Sequence, residues 1–150
     1  MRNIRLGVSL YALLPALMLV AGCGLNKKPE DHAQHFFNRG KDRILDALKQ
    51  AKATPEQLAR AHGVFDRSEK PTVAHIGAVL DEQRHLFIAV AAGKTQQALL
   101  AIEQNLHAAQ MRAAQTIGQM HEELAAAVGT PTWTAATAIM EEKMMRQLKN

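Results

Sequence analysis

Apolar residues in the stretch 31–148 recur at three- and four-residue steps, and no run of four to eight residues alternates between apolar and polar. That periodicity suits one face of a helix and gives a sheet no half-buried strand, so an all-α fold is expected. Helix-breaking punctuation falls at Thr54-Pro55, Lys70-Pro71, Gly93 and Gly129-Thr130-Pro131. The first helix is expected over 31–51, with Phe37, Ile44, Leu48 and Ala51 along one side. A second starts at Thr54-Pro55-Glu56-Gln57, where Thr54 can cap the free amides, Pro55 suits the first helical position and Gln57 can bond back to the cap. Its apolar face is Leu58, Ala61 and Phe65. Pro71 should end or kink it, because proline lacks an amide hydrogen and crowds the preceding turn. A third segment over 72–92 carries Val73, Ile76, Leu80, Phe87 and Val90, and Gly93 supplies a left-handed C-cap. The longest helix spans 95–128, with Leu99, Ile102, Leu106, Ala113, Ile117, Met120 and Leu124 in one stripe. At 1.5 Å per residue it reaches about 50 Å, a length typical of an elongated hairpin, a bundle or a dimer interface. A last helix follows Thr130-Pro131 and holds Trp133, Met140, Met144 and Leu148.

Before this helical region lies a different kind of segment. Arg2 and Arg5 precede an apolar stretch over 6–20, followed by Val20-Ala21-Gly22-Cys23 around the chain's single cysteine. The pattern is that of a signal peptide with a bacterial lipobox, and the apolar run is short of the roughly 20 residues a bilayer span needs. Residues 1–22 are therefore expected to be removed and Cys23 to be lipidated, leaving no thiol for disulfide or thiolate chemistry. Acyl chains on Cys23 would anchor the protein without a spanning helix. Residues 23–30 form a lipidated polar tether, and 31–150 form the helical domain. Gly24, in place of an Asp, leans towards the outer membrane over inner-membrane retention, so a periplasm-facing lipoprotein is expected.

Loss of Arg2 and Arg5 takes the balance from 18 basic and 14 acidic residues to 16 and 14. A nearly neutral mature chain with no basic cluster interleaved with aromatics argues against nucleic acid as a partner. No nucleophile elbow, phosphate loop, zincin motif or converging acid pair is present, and Glu122-Glu123 and Glu141-Glu142 diverge around a helix. No enzymatic activity and no obligatory cofactor are expected.

The order of motifs resembles the Spy/CpxP family of periplasmic stress proteins and chaperones, which includes metal-sensing relatives. The family's helix-start motif is matched by Ala53-Thr54-Pro55-Glu56-Gln57 and, in worn form, by Val128-Gly129-Thr130-Pro131-Thr132-Trp133. Arg84-His85-Leu86-Phe87-Ile88-Ala89, a Gly-Lys break and the long helix follow the family's layout, as does Phe36-Phe37-Asn38-Arg39-Gly40-Lys41-Asp42-Arg43. The departures are Ala53 for the usual Leu, a second motif without Glu-Gln, and the lipid anchor. The resemblance implies an elongated, bent helical hairpin of four to five helices that pairs into an antiparallel, cradle-shaped homodimer. It also implies ATP-independent binding of unfolded or stress-damaged envelope proteins. Candidate client contacts are Phe36, Phe37, Arg39, Lys41 and Arg43 on the first helix, with Met140, Met144 and Met145 near the end. Phe37 and Met144 could equally be ordinary core.

Metal binding is the rival reading. Metal-sensing relatives place histidines near the domain start and a His-x-x-x-Met pair on the long helix. Here His32, His35, His107, Met111 and His121 are the candidate ligands, and Cu, Ni or Zn the candidate ions. His107 and Met111 are four apart and share a helix face, suiting a soft ion. His62, His75 and His85 share no obvious face and read as surface residues. A third possibility, carried by the resemblance, is a regulator that docks on a membrane sensor histidine kinase.

Overall fold

Pro29 opens the first helix, α1 (Pro29–Gln50), where its missing amide hydrogen costs nothing because first-turn amides have no helical partner. Lys28 supplies the capping carbonyl to Asp31 N–H at 3.0 Å, and Glu30 and Asp31 place negative charge at the positive helix end. Pro29 and Glu30 thus belong to the helix and not to the tether. The computed structural model describes residues 28–149; the expected leader and lipobox, Cys23 included, lie outside the described residues. The protein is all-α. After α1 come α2 (Pro55–Ala91), α3 (Gln96–Val128) and α4 (Thr130–Leu148), with no strand among the described residues. None of these helices is long and apolar enough to cross a membrane.

Each connection has a local cause. Lys52 sits at φ 60°, and Ala53 N–H reaches Leu48 C=O while Lys52 N–H reaches Lys49 C=O, each at 3.0 Å. This is a Schellman end with lysine where glycine is commoner. The α2–α3 turn repeats the arrangement with Gly93 at φ 63°, Gly93 N–H on Val90 C=O and Lys94 N–H on Ala89 C=O. Gly129, at φ 83° and ψ 145°, separates α3 from α4 in a conformation that a side chain would strain.

Pro71 does not end the helix. α2 is 37 residues long and contains it. The expected second and third helices are one element. Proline forfeits a single helical hydrogen bond, and apolar side chains on both sides of it (Val64, Phe65, Ile76, Val79) are buried and hold the segment helical. Next to it, Thr72 is 2% exposed and its hydroxyl finds no partner among the described residues. A buried unsatisfied hydroxyl is costly, so Thr72→Val, which keeps the shape, is expected to raise the unfolding free energy by about 1–2 kcal/mol in urea titrations. Unchanged or lower stability would mean that the hydroxyl is solvated.

The helices contribute to two compact units. Residues 28–33 with Ala74–Gly118 form the first. Its core joins Val79 on α2 to Leu106, Ala109 and Ala113 on α3, with Leu86 packed against it. Gly77 lies beside the first turns of α1, where an added Cβ would meet Ala33 Cβ at 3.9 Å. His75, expected at the surface, is half-buried and hydrogen-bonded through Nδ1 to Thr116 Oγ1 at 2.8 Å. The second unit comprises Gln34–Val73 and residues 119–149. Its largest fully buried side chains are Phe65, Leu48, Leu124 and Val128.

Candidate functional site

In the second unit the capping sequence Thr54-Pro55-Glu56-Gln57 forms a junction. Thr54 N–H donates to Gln57 Oε1 at 2.8 Å, and Gln57 N–H donates to Thr54 Oγ1 at 3.2 Å, closing the reciprocal box. The same Gln57 side chain donates from Nε2 to Val128 C=O at the end of α3 and to Thr132 Oγ1 in the first turn of α4. Arg60 Nε donates to Ala127 C=O at 2.7 Å. One glutamine thus ties the start of α2 to the α3–α4 corner. Glu56 has its pKa lowered by its backbone hydrogen bond, then by Thr54 and Arg60.

Beyond that corner α4 is lightly held. His121 stacks at a tilt on Trp133, with ring centroids 5.7 Å apart, and Ala136 is the helix's fully buried residue. Met140 and Met144 are half-buried, Met145 is 52% exposed and Leu148 is 75% exposed. Exposed Lys143, Arg146 and Lys149 accompany them, with Arg146 paired to Glu142. The result is an accessible apolar surface bordered by charges of both signs, Glu141 and Glu142 among them.

The α1 candidates divide. Phe37 is core: it is 5% exposed and meets Phe65 edge-on, centroids 6.2 Å apart at 79°. Lys41 is half-buried, pairs with Asp66 at 3.4 Å and lies 5.9 Å from the Phe65 centroid. Phe36 is half-buried, and Arg39 and Arg43 are exposed. These three and the α4 methionines belong to the same unit and have surface to offer a partner.

The metal candidates are scattered. His107 and Met111 are exposed one turn apart on α3, in the first unit. His32 is half-buried and His35 exposed on α1, while His121 is half-buried against Trp133. Among the described residues no group of three or more His, Cys, Asp or Glu side chains converges as a metal site. Burial lowers the His121 pKa from 6.5. The folded protein therefore binds fewer protons there than the unfolded chain. The stability that neutral His121 allows is complete above the unfolded pKa of 6.5 and is lost as pH falls from there towards the folded value. His121→Leu should flatten the fall in urea midpoint between pH 7.5 and 5.5; an unchanged slope would remove His121 as its source.

Among the described residues of the first unit, several large apolar side chains are exposed, which periodicity does not single out. Phe87 is 68% exposed, Val90 57%, Ile88 50% and, on α3, Leu100 50%. The packed positions beside Phe87 and Val90 are those of Leu86 and Ala89. The available signal was the polar-free run 86–93, apolar on every side of the helix. Comparison with family models, characterised proteins and solved structures gives no match to this chain.

Proposed function

We propose that the protein is a lipid-anchored, ATP-independent chaperone or stress adaptor of the bacterial envelope, of the Spy/CpxP kind. It binds unfolded segments of envelope proteins through its second unit. The observation that carries this reading is the surface of α4. Met140, Met144, Met145 and Leu148 remain partly or largely accessible on a helix whose fully buried residue is Ala136. Methionines repack around unlike apolar partners, and exposed Arg39 and Arg43 of the same unit would speed encounter with acidic unfolded chains. Phe36, Arg39 and Arg43 extend the accessible set in the same unit.

The test is light scattering of an aggregating client in the presence of residues 24–150, without ATP, once with chelator and once with added Cu(I) or Zn(II). Suppression at near-stoichiometric ratio in chelator, lost in Met144→Ser/Met145→Ser/Leu148→Ser, supports the chaperone reading. No suppression in either condition ends it. Suppression only with metal favours the alternative, in which His107 and Met111, exposed on one face of α3, hold a soft ion with ligands from a second molecule. Saturable binding to the sensor domain of a histidine kinase, with no effect on aggregation, would instead mark a docking regulator.

A further inference from the structure

Among the described residues of the first unit, exposed large apolar side chains concentrate at the end of α2 and the start of α3. Phe87, Ile88, Val90 and Leu100 are each half or more exposed, while Leu86 and Ala89 point inward to packed positions. The Schellman bonds at Gly93 hold this tip in ordered helix rather than a frayed end. A helix run with no polar side chain is ordinarily buried on all sides, which makes exposure here unusual.

Charge narrows the choice. Between Glu82 and Glu103 the chain carries Arg84 and Lys94 and no acidic residue. Both cations are exposed. Large apolar side chains with lysine and arginine at their margin suit the headgroup layer of an anionic bilayer. Size narrows it further. The four side chains expose on the order of 400 Å², about half of what each partner of a stable dimer buries. Arg84, one turn back towards the start of α2, interrupts the apolar surface, so it does not continue along the helix as a dimer seam.

The chain between Cys23 and α1 is short. Cys23 and Pro29 are six residues apart, at most about 20 Å when extended. The first turns of α1 lie against Gly77. From Gly77 to Val90 along α2 is about 20 Å of helix. The tip is therefore within reach of the surface in which an acylated Cys23 would sit.

We propose that the α2–α3 tip is a second membrane contact. Phe87, Ile88, Val90 and Leu100 enter the headgroup–acyl boundary of the bilayer that holds lipidated Cys23, and Arg84 and Lys94 bind anionic headgroups. The inference rests on the lipid-anchor reading and is independent of client binding. It gives the first unit a fixed orientation on the membrane, which an acyl tether alone does not.

The test uses the full chain, processed and purified from a bacterial host. Acylation consumes the Cys23 thiol, so Ile88→Cys carries the one reactive site for an environment-sensitive fluorophore, with Val90→Cys as a second position. Gln115→Cys, exposed on α3 about 29 Å from its start, is the control. In vesicles of phosphatidylethanolamine and phosphatidylglycerol, the label at either tip position should shift to the blue, brighten several-fold and be quenched by brominated lipid. The control label should stay water-like. Phosphatidylcholine vesicles, or Arg84→Glu/Lys94→Glu, should reduce the effect. A tip label that remains water-like on acylated protein overturns the proposal. A blue shift that grows with protein concentration in the absence of lipid overturns it in favour of a second copy. The mass of the Cys23 peptide is read separately: an unmodified cysteine overturns the anchor reading and this inference with it.

Discussion

Phe65→Ala is expected to lower the unfolding free energy by about 3–5 kcal/mol, a large share of what a domain of this size possesses. Phe65 is fully buried and belongs to the α2 face of the second unit. The whole sequence has four Phe, one Trp and one Tyr, and Tyr11 lies outside the described residues, so few large aromatic side chains are available to its interior. Removing this ring leaves a cavity bordered by Phe37, whose edge-to-face contact is worth about 0.5–1.5 kcal/mol beyond area burial. The Lys41 ammonium, 5.9 Å from the ring centroid, would lose its aromatic neighbour but keep Asp66. Urea denaturation followed by helix ellipticity measures the loss. A cycle with Phe37→Ala should return a coupling near 1 kcal/mol. A loss for Phe65→Ala below about 1 kcal/mol would mean the ring is not part of a packed interior.

Gln57→Ala should cost about 2–3 kcal/mol, far above the few tenths usual for a polar residue near a helix start. Alanine keeps the backbone bond from Gln57 N–H to Thr54 Oγ1, so the loss comes from the Oε1 acceptor of Thr54 N–H and from the Nε2 donors to Val128 C=O and Thr132 Oγ1. Gln57→Glu separates the acceptor from the donors. It retains the acceptor for Thr54 N–H but loses both donors and sets a carboxylate against the Val128 carbonyl. At pH 7 it should be as destabilising as alanine or worse. Relative to the unsubstituted protein it should recover as pH falls, because the protonated acid regains one donor. Equal stability of Gln57→Glu and the parent at pH 7 would show that the link to the α3–α4 corner contributes nothing.

The features readable in the sequence were those with local causes. Thr54-Pro55-Glu56-Gln57 announced the start of α2 because the cap is made within four residues, and Gly93 and Gly129 announced turns that need positive φ. What Gln57 does at Val128 and Thr132 was hidden, since those partners are 71 and 75 residues away. Pro71 misled because packing on both sides outweighs one missing hydrogen bond. The first α turn at Lys52 carried no glycine to mark it. The exposure of Phe87 and Val90 was not legible because periodicity assigns a face only where polar residues interrupt it, and the run 86–93 has none. Among the candidate site residues, size and hydrophobicity could not tell Phe37, which is core, from Phe36 beside it. Three-dimensional packing made that distinction.

The light attachment of α4 has a consequence for motion. Its amides beyond Ala136 are guarded by the helix's own hydrogen bonds and little tertiary packing, so local opening there requires far less free energy than opening α2 around Phe65. In hydrogen–deuterium exchange the last three turns of α4 should label first, while the Gln57 corner keeps the helix's start in place. A helix that can loosen at one end while its start stays pinned lets its terminal methionines sample several packings without unfolding the core around Phe65.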